Sequence, residues 1–206
     1  MNTASTQFGS YVAALGRAIE GLEITDGDGK AVTPDAAMGR VQQVLRAIPA
    51  SVNKLMIIGN GGSAGIASHM AIDFAKNGGV RALTFNDASS LTCLGNDLGY
   101  DQVFATQVDM HGLPGDLVVA ISSSGQSANI LRAVEVARAR GCVVVTLSGF
   151  DRENPLRRKG ALNFYVPARV YGLVETAHQV VLHAILDTAM GWTAATADVQ
   201  PTRPLR

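Results

Sequence analysis

The sequence has 206 residues, 47% hydrophobic and 5% aromatic, which suits one sizeable core and is short for two comfortable domains. Its 17 basic and 17 acidic residues cancel, so neither a nucleic acid nor an anionic membrane is expected as a partner. Residues 1–10 lack a basic region followed by an apolar one, and no apolar run is long enough to span a bilayer. Cys93 and Cys142 lie in apolar surroundings without CxxC spacing, and are expected as reduced core thiols of a cytoplasmic protein.

Phe8, Val12, Leu15, Ile19 and Leu22 recur at helical spacing and predict a helix over 7–22. Residues 24–30 read as a turn. Asp26, Asp28 and Gly29 faintly resemble a calcium loop, but the rest of that pattern is missing and a solvated turn is expected. Thr33 and Pro34 supply a cap and a first residue for a second helix to position 48. A strand over 54–58, a helix over 63–76, a strand over 80–85, a short segment at 89–94 and a helix over 100–110 follow. The remainder reads as a strand over 117–121, a helix over 128–140, strands over 142–147 and 162–166, and a final helix over 174–192. Short apolar strands separated by helices predict an α/β fold with a parallel sheet covered on both faces. Residues 1–50 form leading helices, 51–195 the α/β domain, and 196–206, with Pro201 and Pro204, a tail.

Two stretches carry chemistry. Asn60-Gly61-Gly62-Ser63 and Ser122-Ser123-Ser124-Gly125-Gln126-Ser127 each follow a predicted strand and open a predicted helix. Unpartnered N–H groups, the helix dipole and serine hydroxyls make such a turn an anion site. The first loop alone could be only a tight turn, and it matches neither a Walker loop nor a dinucleotide fingerprint. The second is more specific, because clustered serines straight after a buried run are poor strand or helix interior and good phosphate donors.

The order of Gly59-Asn60-Gly61-Gly62-Ser63, His69 and Asp73, Cys93-Leu94-Gly95-Asn96-Asp97, the serine cluster, the run from Val143 to Gly149, and Glu175 and His183 on the last helix resembles the sugar isomerase (SIS) family, and within it the phosphoheptose isomerases. The resemblance covers roughly residues 55–187. It implies a three-layer αβα sandwich around a five-stranded parallel sheet, with the leading helices serving oligomerisation, and a homotetramer with sites at subunit interfaces. Implied substrate contacts are Asn60, Gly61, Gly62, Ser63, Asp73, Asn96, Asp97 and Glu175, with phosphate on Ser122, Ser123, Ser124 and Ser127. One zinc ion per site is implied on His69, Asp73, Glu175 and His183, and proton transfer on Asp73, Glu175 and His183.

The residues themselves are consistent with those roles. His69 and Asp73, at i and i+4, share a helical face; Glu175 and His183, two turns apart, can flank one site, and His178 points elsewhere. In isolation the first pair would be a surface hydrogen bond and His183 a satisfied core histidine. His111 reads as a loop residue, and Tyr171 and Trp192 as packing or interface residues. Aldose–ketose isomerisation of a phosphorylated sugar needs two such groups, a carboxylate base at Asp73 or Glu175 and His183 as acid; a bound zinc would polarise the reacting oxygens, and the anchored phosphate keeps the reacting carbon in reach. Against the subfamily pattern, Asp73 replaces Glu, Glu175 replaces Gln, Gly172 stands where Asp is expected, and residues 75–81 are short, which puts the exact sugar in question. The alternative is a non-catalytic SIS protein, either a phosphosugar-binding regulator or an assembly factor like the relative that associates with the bacterial replication initiator.

Overall fold

The computed structural model describes residues 6–196. Strand alternation dictates its layering. Along β2 (Leu55–Gly59) and β4 (Leu117–Ser122), Leu55, Ile57, Leu117, Val119 and Ile121 join one core, while Met56, Ile58, Val118 and Ala120 join the other. The sheet also contains β1 (Glu23–Asp26), β3 (Ala82–Thr84), β5 (Val143–Ser148) and β6 (Leu162–Tyr165), in the order β1-β6-β5-β4-β2-β3. Every pairing is parallel except β1 with β6.

Helices α2 (Pro34–Ala47), α3 (Gly62–Lys76) and α7 (Tyr171–Ala189) cover the first face. On the second lie α5 (Val103–His111) and α6 (Ala128–Ala139), with α4 (Ala88–Leu98) at its margin. Helix α1 (Gln7–Glu20) rests on α7 through Ala18, Val174 and Ala177. The α/β sandwich is therefore as expected, with six strands among the described residues rather than five. The extra strand, β1, buries only Ile24 and runs straight into a turn where the Asp26 carboxylate accepts from the Asp28 and Lys30 amides, so turn chemistry hid it.

Other expectations are corrected. Helix α2 buries Ala37, Val41 and Leu45 in its own chain's core rather than facing mainly outward as a contact for other subunits. Cys93 is exposed on α4, whereas Cys142 is buried. His111 ends α5, stacked on Phe85 at 5.6 Å between ring centroids, because a helix carries on to the Gly112 break. The segment at 89–94 is a full helical stretch, and the final helix starts earlier, at Tyr171. The expected tail lies outside the described residues apart from Thr196.

Asp116, fully buried, ties the lower ends of β2 and β4 together. It accepts from the Lys54 amide at 2.9 Å, the Lys54 Nζ at 2.6 Å, Asn53 Nδ2 at 3.0 Å and the Leu113 amide at 2.8 Å. Burial opposes its charge, but these donors prevail and hold its carboxyl below the usual range. The register this supports sets Gly59 beside Ile121, so the two loops emerge side by side at the strands' carboxyl ends.

Candidate phosphosugar site

From adjacent β2 and β4 the chain leaves toward opposite faces, into α3 on one side and α6 on the other. Such a switch point opens a crevice at the carboxyl ends of the strands. Here it holds a cavity of about 250 Å³ lined by both loops, Tyr171 and Glu175.

On the serine side, Ser122 Oγ accepts from the Gly125 amide at 3.1 Å and lies 3.2 Å from Ser127 Oγ. Ser124 Oγ accepts from the Gln126 amide at 3.2 Å. Ser127 caps α6 by position, yet its side chain makes no capping bond. Ser123 Oγ is buried without a hydrogen-bond partner among the described residues. The loop's shape depends on Gly125, at φ +63°, where a Cβ would overlap the Asn154 carboxamide. Asn154 Nδ2 in turn donates to Asp151 O at 2.7 Å and to Gly149 O and Ser148 Oγ at 3.3 Å.

On the glycine side, Asn60 and Asn129 exchange carboxamide hydrogen bonds at 2.9 Å in both directions, and Tyr100 Oη donates to Asn60 Oδ1 at 3.2 Å. Gly62 opens α3, and a Cβ there would overlap the Glu175 carboxylate. That carboxylate therefore sits against the positive end of α3, a favourable place for an anion. Asn129, Tyr100 and Asn154 were not legible as site residues; the only hint was a polar Asn129 on the apolar face of α6, whose Ile130, Ala133 and Ala137 are buried.

The expected metal ligands divide. His69, Asp73 and His183 offer ligand atoms all within 4.8 Å of one another, with His69 Nε2 3.4 Å from Asp73 Oδ2 and the two imidazole centroids 5.5 Å apart. Two ligands about 2.1 Å from one tetrahedral ion stand about 3.4 Å apart, so the His69–Asp73 pair already has that spacing. Two imidazoles and one carboxylate are a ligand set that suits zinc and leaves a fourth position open. Glu175 is not in this group and faces the cavity instead. Asn96 and Asp97, also expected at the substrate, are exposed on the last turn of α4, bonded to each other at 2.8 Å, and do not line the cavity. His178 does point elsewhere: it is fully buried, with Nε2 3.1 Å from Ser148 O, and burial pushes its pKa down to about 4.

A family model described as the SIS domain matches residues 32–149. The chain belongs to the SIS domain family. Among SIS relatives, the phosphoheptose isomerase of Thiobacillus denitrificans (strain ATCC 25259 / T1) is 37% identical over 164 residues, covering 74% of this chain and 83% of the relative. That of Geobacter sp. (strain M21) is 37% identical over 141 residues, 66% of this chain and 73% of its own length. The structure of phosphoheptose isomerase from Neisseria gonorrhoeae superposes with a TM-score of 0.74 at 29% identity, covering 91% of this chain and 99% of the other. The SIS match begins inside the stretch read as leading helices, so α2 is part of the family unit rather than an addition to it.

Proposed function

We propose that this chain is an aldose–ketose isomerase of phosphorylated sugars, converting sedoheptulose 7-phosphate to the heptose 7-phosphate. The carrying observation is that one cavity brings together the serine loop, the glycine loop and the Glu175 carboxylate, in a chain 37% identical to phosphoheptose isomerases. Phosphate binds at Ser122, Ser123, Ser124 and Ser127, on hydroxyls and the α6 amino terminus. Asn60, Gly61, Gly62, Ser63 and Glu175 take the sugar hydroxyls. His183 stands two turns beyond Glu175, about 12 Å by helical rise. Phosphate and carbonyl stand at opposite ends of a ketose 7-phosphate, matching a phosphate anchor at one end and proton-transfer groups at the other.

Isomerisation moves protons at neighbouring carbons and oxygens, so its acid and base must be close together. Asp73 and His183 meet that requirement. Asp73 removes the proton from the carbon beside the carbonyl, His183 protonates the developing oxyanion, and return of the proton to the adjacent carbon completes the enediol route. In a metal-loaded form His69, Asp73 and His183 would instead hold a zinc ion, which when bound supplies Lewis-acid polarisation of the sugar oxygens in place of the proton from His183. Asn96 and Asp97, which do not line the cavity within one chain, serve the site across a subunit junction of a homotetramer. The two free thiols support a reducing, cytoplasmic setting.

Purified protein assayed with sedoheptulose 7-phosphate should show turnover that Asp73→Asn and His183→Ala abolish while both variants still bind phosphate. Glu175→Gln should keep measurable activity. Phosphosugar binding without turnover, by metal-loaded protein, would instead establish the non-catalytic regulator.

A further inference from the structure

Helix α1 meets the first turn of α7, beside the cavity lining, through the Tyr11 side chain. The hydroxyl of Tyr11 fills the volume that a side chain on Gly172 would occupy: a Cβ at that position would overlap Tyr11 Oη. Gly172 precedes Glu175 by three residues on α7, so the two share a helical face, and its neighbour Tyr171 lines the cavity. The bare glycine thus opens a slot one turn from the cavity carboxylate, and the slot is filled by a hydroxyl from another helix. Tyr11 Oη has no hydrogen-bond partner among the described residues, in contrast to Tyr100 Oη and Tyr165 Oη, which donate to Asn60 Oδ1 and Phe150 O. A phenol hydroxyl both donates and accepts, and its ring holds it on only two torsions.

We infer that Tyr11 is a specificity-determining residue whose hydroxyl hydrogen-bonds a sugar hydroxyl beside Glu175. The inference rests on the phosphosugar reading of the cavity. A polyol presents paired hydroxyls that each need a donor or an acceptor. Glu175 supplies acceptors alone, and the Tyr11 hydroxyl adds a group that can do either. Helix α1 lies outside the matched residues 32–149, so this contact comes from a part of the chain that the family model does not define.

Tyr11→Phe removes the hydroxyl and keeps the ring that packs on α7. Its Kd for sedoheptulose 7-phosphate, measured by calorimetry, should rise about 3- to 10-fold, the loss of one neutral hydrogen bond. KM should rise in parallel, while inhibition by inorganic phosphate and the Tm stay unchanged. Discrimination among ribulose 5-phosphate, fructose 6-phosphate and sedoheptulose 7-phosphate should narrow. Tyr11 Cζ lies 3.7 Å from the added Cβ position, so without the hydroxyl a side chain fits at 172. The double variant Tyr11→Phe/Gly172→Ser should therefore regain part of the lost affinity, whereas Gly172→Ser alone should lose it by displacing Tyr11. Unchanged Kd, KM and sugar selectivity in Tyr11→Phe would overturn the inference. A parent protein that binds none of the three sugars overturns the phosphosugar reading itself, and is recognised before any variant is made.

Discussion

Ser123 holds a buried hydroxyl that no group among the described residues satisfies. An unmade hydrogen bond in a buried site costs about 1–3 kcal/mol, so Ser123→Ala should leave the free protein as stable or more stable. It should, however, reduce the rise in Tm that saturating sedoheptulose 7-phosphate produces, because the oxyanion loses a donor. Thermal unfolding with and without the sugar reads both effects; a destabilised free protein with an undiminished sugar effect would assign the hydroxyl to the fold. His178 is the second residue with a sharp consequence. Burial lowers its pKa from 6.5 to about 4, so between those values the unfolded chain binds the proton and the folded chain resists it. The folded chain keeps the imidazole neutral, so its contribution is constant above the unfolded value, and stability falls as pH drops from there toward about 4, by on the order of 3 kcal/mol. Asp116, with its lowered carboxyl, contributes in a more acidic window. Urea unfolding from pH 7 to pH 4.5 should show this decline, and His178→Gln should flatten it.

At the level of elements, the approach of α7 to α3 depends on the absence of a side chain at Gly62, over which the Glu175 carboxylate lies. Gly62→Ala should push aside the flexible end of Glu175 rather than unfold the protein, since the position is exposed at the first residue of α3. A displacement of about 1 Å at a site costs on the order of 100-fold in rate, so kcat/KM should fall by about that factor with little change in Tm. Full activity in that variant would separate the Glu175 position from turnover. The strands and their loops were readable because β2 and β4 are continuous apolar runs ending abruptly in Gly or Ser. His69 and Asp73 were readable as a pair because i,i+4 spacing is local. What was hidden is relational: Ile24 as an edge strand makes sense only once β6 lies beside it, and Asn154 only once Gly125 rests against it. Likewise, helical spacing allowed Glu175 to join His183, and the Gly62 notch seats it at the cavity instead.

Across the whole molecule, α1 and α7 are among the helices that present exposed apolar side chains. Phe8 and Val12 on α1 are 78% and 49% exposed, and beside His183 the outer face of α7 forms a groove with Val180, Ala184 and Trp192. Surface of this kind is characteristic of contacts between chains. The solution mass at micromolar concentration should be a multiple of the 21.5 kDa chain, and Phe8→Glu with Val12→Glu should reduce it; a folded parent sedimenting as a monomer would count against subunit-junction sites. The pairing of β1 with β6 bears on synthesis as well. Glu23 meets Tyr165 in the sheet, and at about 5–20 residues per second the ribosome needs roughly 7–28 s to travel between them. For that interval the nascent β1 has no sheet edge to join, and α1 has no α7 beneath it. The amino-terminal segment therefore emerges first and docks last, and Ala18 waits through that interval for the Val174 and Ala177 side chains that bury it.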